Sequence, residues 1–248
     1  MKSKTIILLK LTGELLKNNH SGGLDGSLVK KIARQIVQLQ STHHFGIVIG
    51  GGNFFRGNKQ GVQLGLSLAV GHQVGMVATL MNGLIVKDLF EQEGLPITLF
   101  SAMASSEIGV ATSAQNIKKA LEKGDYLIFA GGTGNPFFST DTTAIVRGLQ
   151  IGADCVWKAT NVDGIYDSDP RINSNAYLLS RVSYSDALSN NLKILDATAF
   201  ALAKENSMKI RVFNVFRDDA LLEAASNNRF GTVVENNNEY PILEDYGK

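Results

Sequence analysis

The 248-residue chain carries 24 Lys and Arg against 23 Asp and Glu, a formal net charge of +1, so it lacks the basic excess by which nucleic-acid binders displace counterions from phosphate backbones. Hydrophobic residues at 44% and charged residues at 19% exclude a disordered chain and suffice for a full core, in one large domain or two merged halves. The single cysteine, Cys155, can form neither an internal disulfide nor a cysteine-rich zinc site. With an N-terminal apolar run that breaks at Lys10, too short for a signal core, it points to a reducing cytoplasm. The triplet Asn19-His20-Ser21 then reads as a chance match to a glycosylation signal.

In chain order, a strand is expected over Thr5 to Leu11, and a helix over Ser27 to Gln40 with Leu28, Ile32, Ile36 and Leu39 on one stripe. A second strand covers Gly46 to Ile49. From Gln60 to Val86 no charged residue occurs, which is long enough to span a membrane. Gln63, Ser67, His72, Gln73, Asn82 and five glycines argue against that reading. Val70, Val74, Val77, Ala78, Met81, Leu84 and Ile85 recur there at helical spacing, while Met76, Thr79, Leu80 and Gly83 leave the other faces uncharged. Such a helix is buried on more than one side, and a homo-oligomer contact is predicted through 70–86. Further strands are expected at Pro96 to Phe100, Tyr126 to Ala130, Asp154 to Lys158 and Lys209 to Asn214, with a helix from near Asp196 through Thr198 to Asn206. The turn signals Asp163-Gly164 and Asp169-Pro170 flank Ile165-Tyr166 and predict a small hairpin. Strands separated by helices imply an α/β fold, an open and mostly parallel sheet sandwiched by helices. The best internal seam lies near Asn135 to Thr140.

Glycines cluster just beyond three of these strands: Gly13 after Lys10-Leu11-Thr12, Gly50-Gly51-Gly52 leading to Arg56-Gly57, and Gly131-Gly132-Thr133-Gly134. Strand ends are where open α/β sheets bind ligands, and glycine lets backbone amides approach an anion closely. Two clusters carry a cation as well, so phosphate is the expected guest. No P-loop, dinucleotide fingerprint, Gly-x-Ser-x-Gly elbow or His-Glu-x-x-His pattern occurs. Asp141 and Asp196 each stand before a predicted helix, where a carboxylate either caps the helix or orients cations around phosphate.

The ordered series Lys10-Leu11-Thr12-Gly13-Glu14, Val48 to Gly57, Gly132 to Asp141, Lys158 to Tyr166 and Ile210 to Asn214 resembles the bacterial UMP kinases of the amino acid kinase superfamily. The stretch Gly134 to Asp141 is the most specific of these. The resemblance implies one domain over 1–248, with an acceptor-side half of about 1–135 and an ATP-side half of about 136–248. It implies transfer of the γ-phosphoryl of ATP, carried with Mg²⁺, to UMP in pyrimidine nucleotide biosynthesis, with no resident metal. Lys10, Leu11, Thr12, Gly13, Gly52 and Arg56 would take the ATP phosphates, and Thr160, Tyr166 and Asp169 the adenine and ribose. Gly51, His72, Thr133, Gly134, Asn135, Pro136, Phe137, Phe138, Ser139 and Thr140 would enclose UMP. Lys10, Asp141, Asp196 and Arg56 would carry the catalysis, with Lys158 a further phosphate contact. A cytoplasmic homohexamer is implied, with UTP a candidate inhibitor.

His72 departs from the family pattern, which has Asp there to grip the ribose. A storage protein on the same fold need not preserve Asn135 to Asp141, and an amino acid kinase does not account for Phe54-Phe55-Arg56-Gly57.

Overall fold

The computed structural model describes residues 4–17, 23–170, 172–192 and 194–236; the triplet Asn19-His20-Ser21 lies outside them. The chain alternates strands and helices: β1 (Thr5–Leu11), α1 (Ser27–Leu39), β2 (His43–Ile49), α2 (Leu68–Gln92), β3 (Ile97–Ser101), β4 (Val110–Ala111), α3 (Ala114–Lys123), β5 (Tyr126–Ala130), α4 (Thr140–Gln150) and β6 (Cys155–Thr160). There follow β7 (Ile165–Tyr166), β8 (Leu178–Leu179), β9 (Arg181–Ser183), α5 (Tyr184–Ser189), α6 (Ala197–Glu205), β10 (Ile210–Asn214), α7 (Ala220–Ser226) and β11 (Thr232–Glu235). Nine of these strands form one sheet in the order β4-β3-β5-β2-β1-β6-β10-β11-β9, parallel except where β11 meets β10. β7 and β8 form a separate antiparallel ribbon. The hairpin expected at Ile165-Tyr166 therefore closes on Leu178-Leu179, across a longer connection than its two turn signals suggest.

Both faces of the sheet are apolar because both are covered, and the two-residue period of a strand sorts side chains between them. On β1, Ile7, Leu9 and Leu11 join Val29, Ile32 and Ile36 of α1 and Val86 and Phe90 of α2 in one core. Leu8 turns to the other face, where Val48 and Val156 meet Ala144 and Ile145 of α4 and Ala199 and Phe200 of α6. The next residue on that second face of β1 is Lys10, and the sheet register sets it opposite Lys158 of β6. Two cations thus stand side by side at the C-terminal end of an otherwise apolar face.

Helix α2 is long and apolar enough to cross a membrane, yet it is built into the domain over the ends of β3 and β5. Its buried side is formed by Met76, Thr79, Leu80, Gly83, Val86 and Phe90. The stripe whose spacing is most regular in the sequence, Val70, Val74, Val77, Met81 and Leu84, faces outward instead. Periodicity identifies a face but not its partner, and here the core side is the one interrupted by small and polar residues.

Candidate active site

The C-terminal ends of β1, β2 and β5 and the N-termini of α4 and α6 enclose a cleft of about 780 Å³. Behind its wall, reached through Lys10, is an ion cluster. The first turn of α4 brings Asp141 between the paired lysines, with Lys158 Nζ 2.6 Å from Oδ2 and Lys10 Nζ 3.2 Å from Oδ1. The Lys158 contact is a true hydrogen bond, and a second one runs from Nζ to the Ile194 carbonyl at 2.7 Å. Lys10 stands at ion-pair distance without hydrogen-bond alignment, so Asp141 Oδ1 is a buried oxygen with no aligned donor. Burial favours the neutral acid, but the charges of Lys10 and Lys158 outweigh it and hold the Asp141 carboxyl below its ordinary pKa. Burial lowers the Lys158 ammonium from its usual value, a shift that Asp141 opposes and Lys10 reinforces.

Asp196 ties the two helix starts together. It caps α6 by accepting from the Ala199 amide at 3.0 Å, and it also accepts from the hydroxyls of Ser139 and Thr142. Ser139 in turn caps α4, accepting from the amides of Asp141 at 3.0 Å and Thr142 at 3.1 Å. Two helix N-termini, each carrying partial positive charge, are held at the same wall by one carboxylate.

The glycine turns come close for identifiable reasons. At Gly13 an added Cβ would lie 2.3 Å from Asn53 Oδ1 and 2.6 Å from the Gly50 carbonyl, so only glycine lets the first turn meet the second. An amide pair, the fully buried Asn82 and the half-buried Asn53, holds them in register. Asn82 of α2 exchanges hydrogen bonds with Asn53 at 2.7 and 3.1 Å and donates to the Gly50 carbonyl at 2.7 Å. The third turn is fastened from the same helix, because Thr79 Oγ1 accepts from the Gly131 amide at 2.8 Å.

Of the residues singled out in the sequence, Lys10, Thr12, Gly13, Gly51, Gly52 and Arg56 line one side of the cleft. His72, Phe137, Phe138, Ser139, Thr140 and Asp196 line the other parts of its wall. The ring of His72 lies tilted against Phe137 with centroids 5.1 Å apart. Phe137 adopts φ 71°, a left-handed conformation that is costly for a bulky residue and common at ligand sites. Leu11 is buried in the core beneath the wall, and Asp141 and Lys158 sit just behind it. Thr133, Gly134, Asn135 and Pro136 form the outer part of the same loop, where Thr133 Oγ1 accepts from the Asn135 amide at 3.2 Å. Thr160, Tyr166 and Asp169 stand apart from the cleft, at the end of β6, in β7 and in the turn after it. Sequence reasoning missed Asn53, Asn82 and Glu14; a carboxamide set between Met81 and Gly83 in the uncharged stretch of α2 is the signal that marks Asn82.

The profile of the amino acid kinase family matches residues 5–214. The uridylate kinase of Methylococcus capsulatus is 39% identical over 229 residues, 92% of this chain and 95% of that one. The uridylate kinase of Colwellia psychrerythraea is 41% identical over 229 residues, 92% of each. Among solved structures, the UMP kinase of Ureaplasma parvum superposes with a TM-score of 0.90 at 35% identity, over 94% of this chain and 99% of that one.

The ion cluster predicts unequal effects on stability. Lys10→Ala leaves Asp141 paired with Lys158 and is expected to cost less than ~1 kcal/mol, whereas Asp141→Ala strands two ammoniums and is expected to cost ~3 kcal/mol. Urea denaturation of both variants checks this. Equal losses would contradict it.

Proposed function

The chain belongs to the amino acid kinase family, and we propose from that premise that it is a uridylate kinase, transferring the γ-phosphoryl group of ATP to UMP to give ADP and UDP. The observation that carries the mechanism is the partly buried Lys10, Asp141 and Lys158 cluster behind a glycine-lined cleft. A phosphate oxygen of UMP attacks the γ-phosphorus while the bond to the β,γ-bridging oxygen breaks and ADP leaves. The acceptor phosphate, with a second pKa near ~6, is already largely ionised at neutral pH, so no side chain has to remove a proton. What the protein must supply is fixed positive charge and position. Lys10 offers a cation whose own counter-charge lies behind it, and the N-termini of α4 and α6 add partial charge that needs no reorganisation.

We assign Lys10 to Gly13, Gly52 and Arg56 to the ATP phosphates, and Thr160, Tyr166 and Asp169 to the adenosine end. Gly51, His72 and Thr133 to Thr140 are assigned to UMP. We take the chain as an acceptor-side half of about 1–135, which supplies β1 to β5, and an ATP-side half of about 136–248, which supplies β6 to β11; Lys10 to Gly13, Gly52 and Arg56 reach the ATP phosphates from the first half, and Pro136 to Thr140 reach UMP from the second. UTP, sharing the pyrimidine nucleotide, would compete at the UMP side.

Mg²⁺ would enter the cleft carried with ATP. Among the described residues no three His, Cys, Asp or Glu side chains converge, while Asp141 Oδ1 is a carboxylate oxygen lacking an aligned donor. Bound to the ATP phosphates, the ion would offset their charge during transfer. The reduced, buried thiol of Cys155 fits a cytoplasmic protein.

The outward stripe of α2, with Val70, Val74, Val77, Met81 and Leu84 each 36 to 46% exposed, supports a homo-oligomer contact, by resemblance a hexamer. Glutamate at both Val77 and Met81 is expected to leave monomers in sedimentation at micromolar concentration. Unchanged sedimentation would contradict the contact.

With ATP and a panel of nucleoside monophosphates, glutamate and aspartate as acceptors, UMP is expected to exceed the amino acids by more than ~100-fold in kcat/KM. Absence of UDP would overturn the assignment.

A further inference from the structure

Arg56 stands at the cleft wall, and its guanidinium is tethered along one edge. Nε donates to the Gly52 carbonyl at 3.3 Å and Nη2 to Glu14 Oε1 at 2.7 Å. Its backbone is fixed too, since the Arg56 amide donates to Gln60 Oε1 at 2.6 Å. A guanidinium has five N–H donors in a rigid fork. With two engaged, the remainder have no partner among the described residues and suit a planar, bidentate grip on an anion. The carboxylate that holds it is not a stray surface group. Glu14 follows Gly13 directly, in the 3-10 turn that begins the first glycine crest, and its side chain is half as exposed as that of Arg56, 30% against 60%. Its second oxygen lies 3.6 Å from Lys17 Nζ. The pair therefore joins the crest after β1 to the crest after β2, across 42 residues of chain.

An ion pair this exposed adds little to stability, because water already solvates both partners and side-chain entropy opposes the contact. Its geometric effect is larger. An unrestrained arginine must give up several rotatable bonds when it meets a ligand, and a tether removes that cost beforehand. We propose that Glu14 is a positioning residue: it presets the Arg56 guanidinium beside the cleft so that it meets a nucleotide phosphate in one orientation. The proposal rests on the kinase assignment above. It is opposite in sign to a brake, in which phosphate would have to pull Arg56 away from Glu14.

Steady-state kinetics and calorimetric titration with ATP and with UMP, on Glu14→Ala, Glu14→Gln, Arg56→Ala and the Glu14→Ala/Arg56→Ala double variant, test it. Glu14→Ala is expected to weaken binding of one nucleotide ~10-fold, seen in its KM, with kcat changed less than ~2-fold. Glu14→Gln, which keeps an acceptor for Nη2, is expected to recover most of the loss. In the Arg56→Ala background, Glu14→Ala is expected to add nothing further. Thermal midpoints should stay within about 2 °C of the parent throughout. Unchanged or tighter nucleotide binding in Glu14→Ala would overturn the proposal, as would an effect that persists fully without Arg56. UDP formation by the parent is read separately. Should it fail, the kinase assignment falls, and calorimetry with ATP still decides the role of Glu14.

Discussion

Two ammonium groups on neighbouring strands share one carboxylate, and the layout of the cleft follows from satisfying them. Lys10 and Lys158 occupy the last rung of a sheet face that is otherwise Leu8, Val48 and Val156, side chains that offer no counter-charge. Leaving either cation there unpaired would be costly in a partly buried setting. Asp141 meets the need only if α4 begins directly over that rung, which requires the chain to leave β5, turn through a loop of left-handed residues and restart at Ser139. Asp196 then binds the α4 cap, so the start of α6 is drawn to the same wall. A charge constraint on two strands thereby positions two helix dipoles.

A second constraint is steric. Phosphate-sized groups can approach backbone amides only where side chains are missing, and the three glycine turns provide such openings. Openings alone would leave the loops free to move apart. The Asn53 and Asn82 pair and the Thr79 hydroxyl fix the turns against α2, so this helix serves the site from its buried side. Its opposite side carries the apolar stripe. One helix thus bonds the Gly50 and Gly131 turns on one side and presents the exposed stripe on the other.

The regular parts of the fold were readable where a single physical signal dominates. β1 runs over Thr5 to Leu11 as its apolar run indicates, and the cationic and glycine-rich strand ends do meet in one cleft. β2 begins at His43 rather than Gly46 because the two histidines behave as aromatics, His43 against Phe45 and Trp157 and His44 stacked on Tyr126 with centroids 4.9 Å apart. The opposition of Lys10 and Lys158, 148 residues apart, is a property of strand order that no local pattern encodes. The same holds for Glu14 with Arg56 and Asn53 with Asn82, whose partners are chosen by topology. The edge strands β4 and β9, the four-residue β11 and the seven-residue α7 are too short to set a period of their own and lean on the neighbours they pack against.

The central claim is that a cation cluster and glycine amides at these strand ends receive the phosphates of two nucleotides. A crystal structure with UMP and a non-hydrolysable ATP analogue tests it most directly. The account predicts that the γ-phosphate of the donor and the phosphate of UMP converge within about 4 Å of Lys10 Nζ, with amides of the glycine turns donating to their oxygens. Phosphates lying elsewhere, or turns whose amides point away from them, would contradict it.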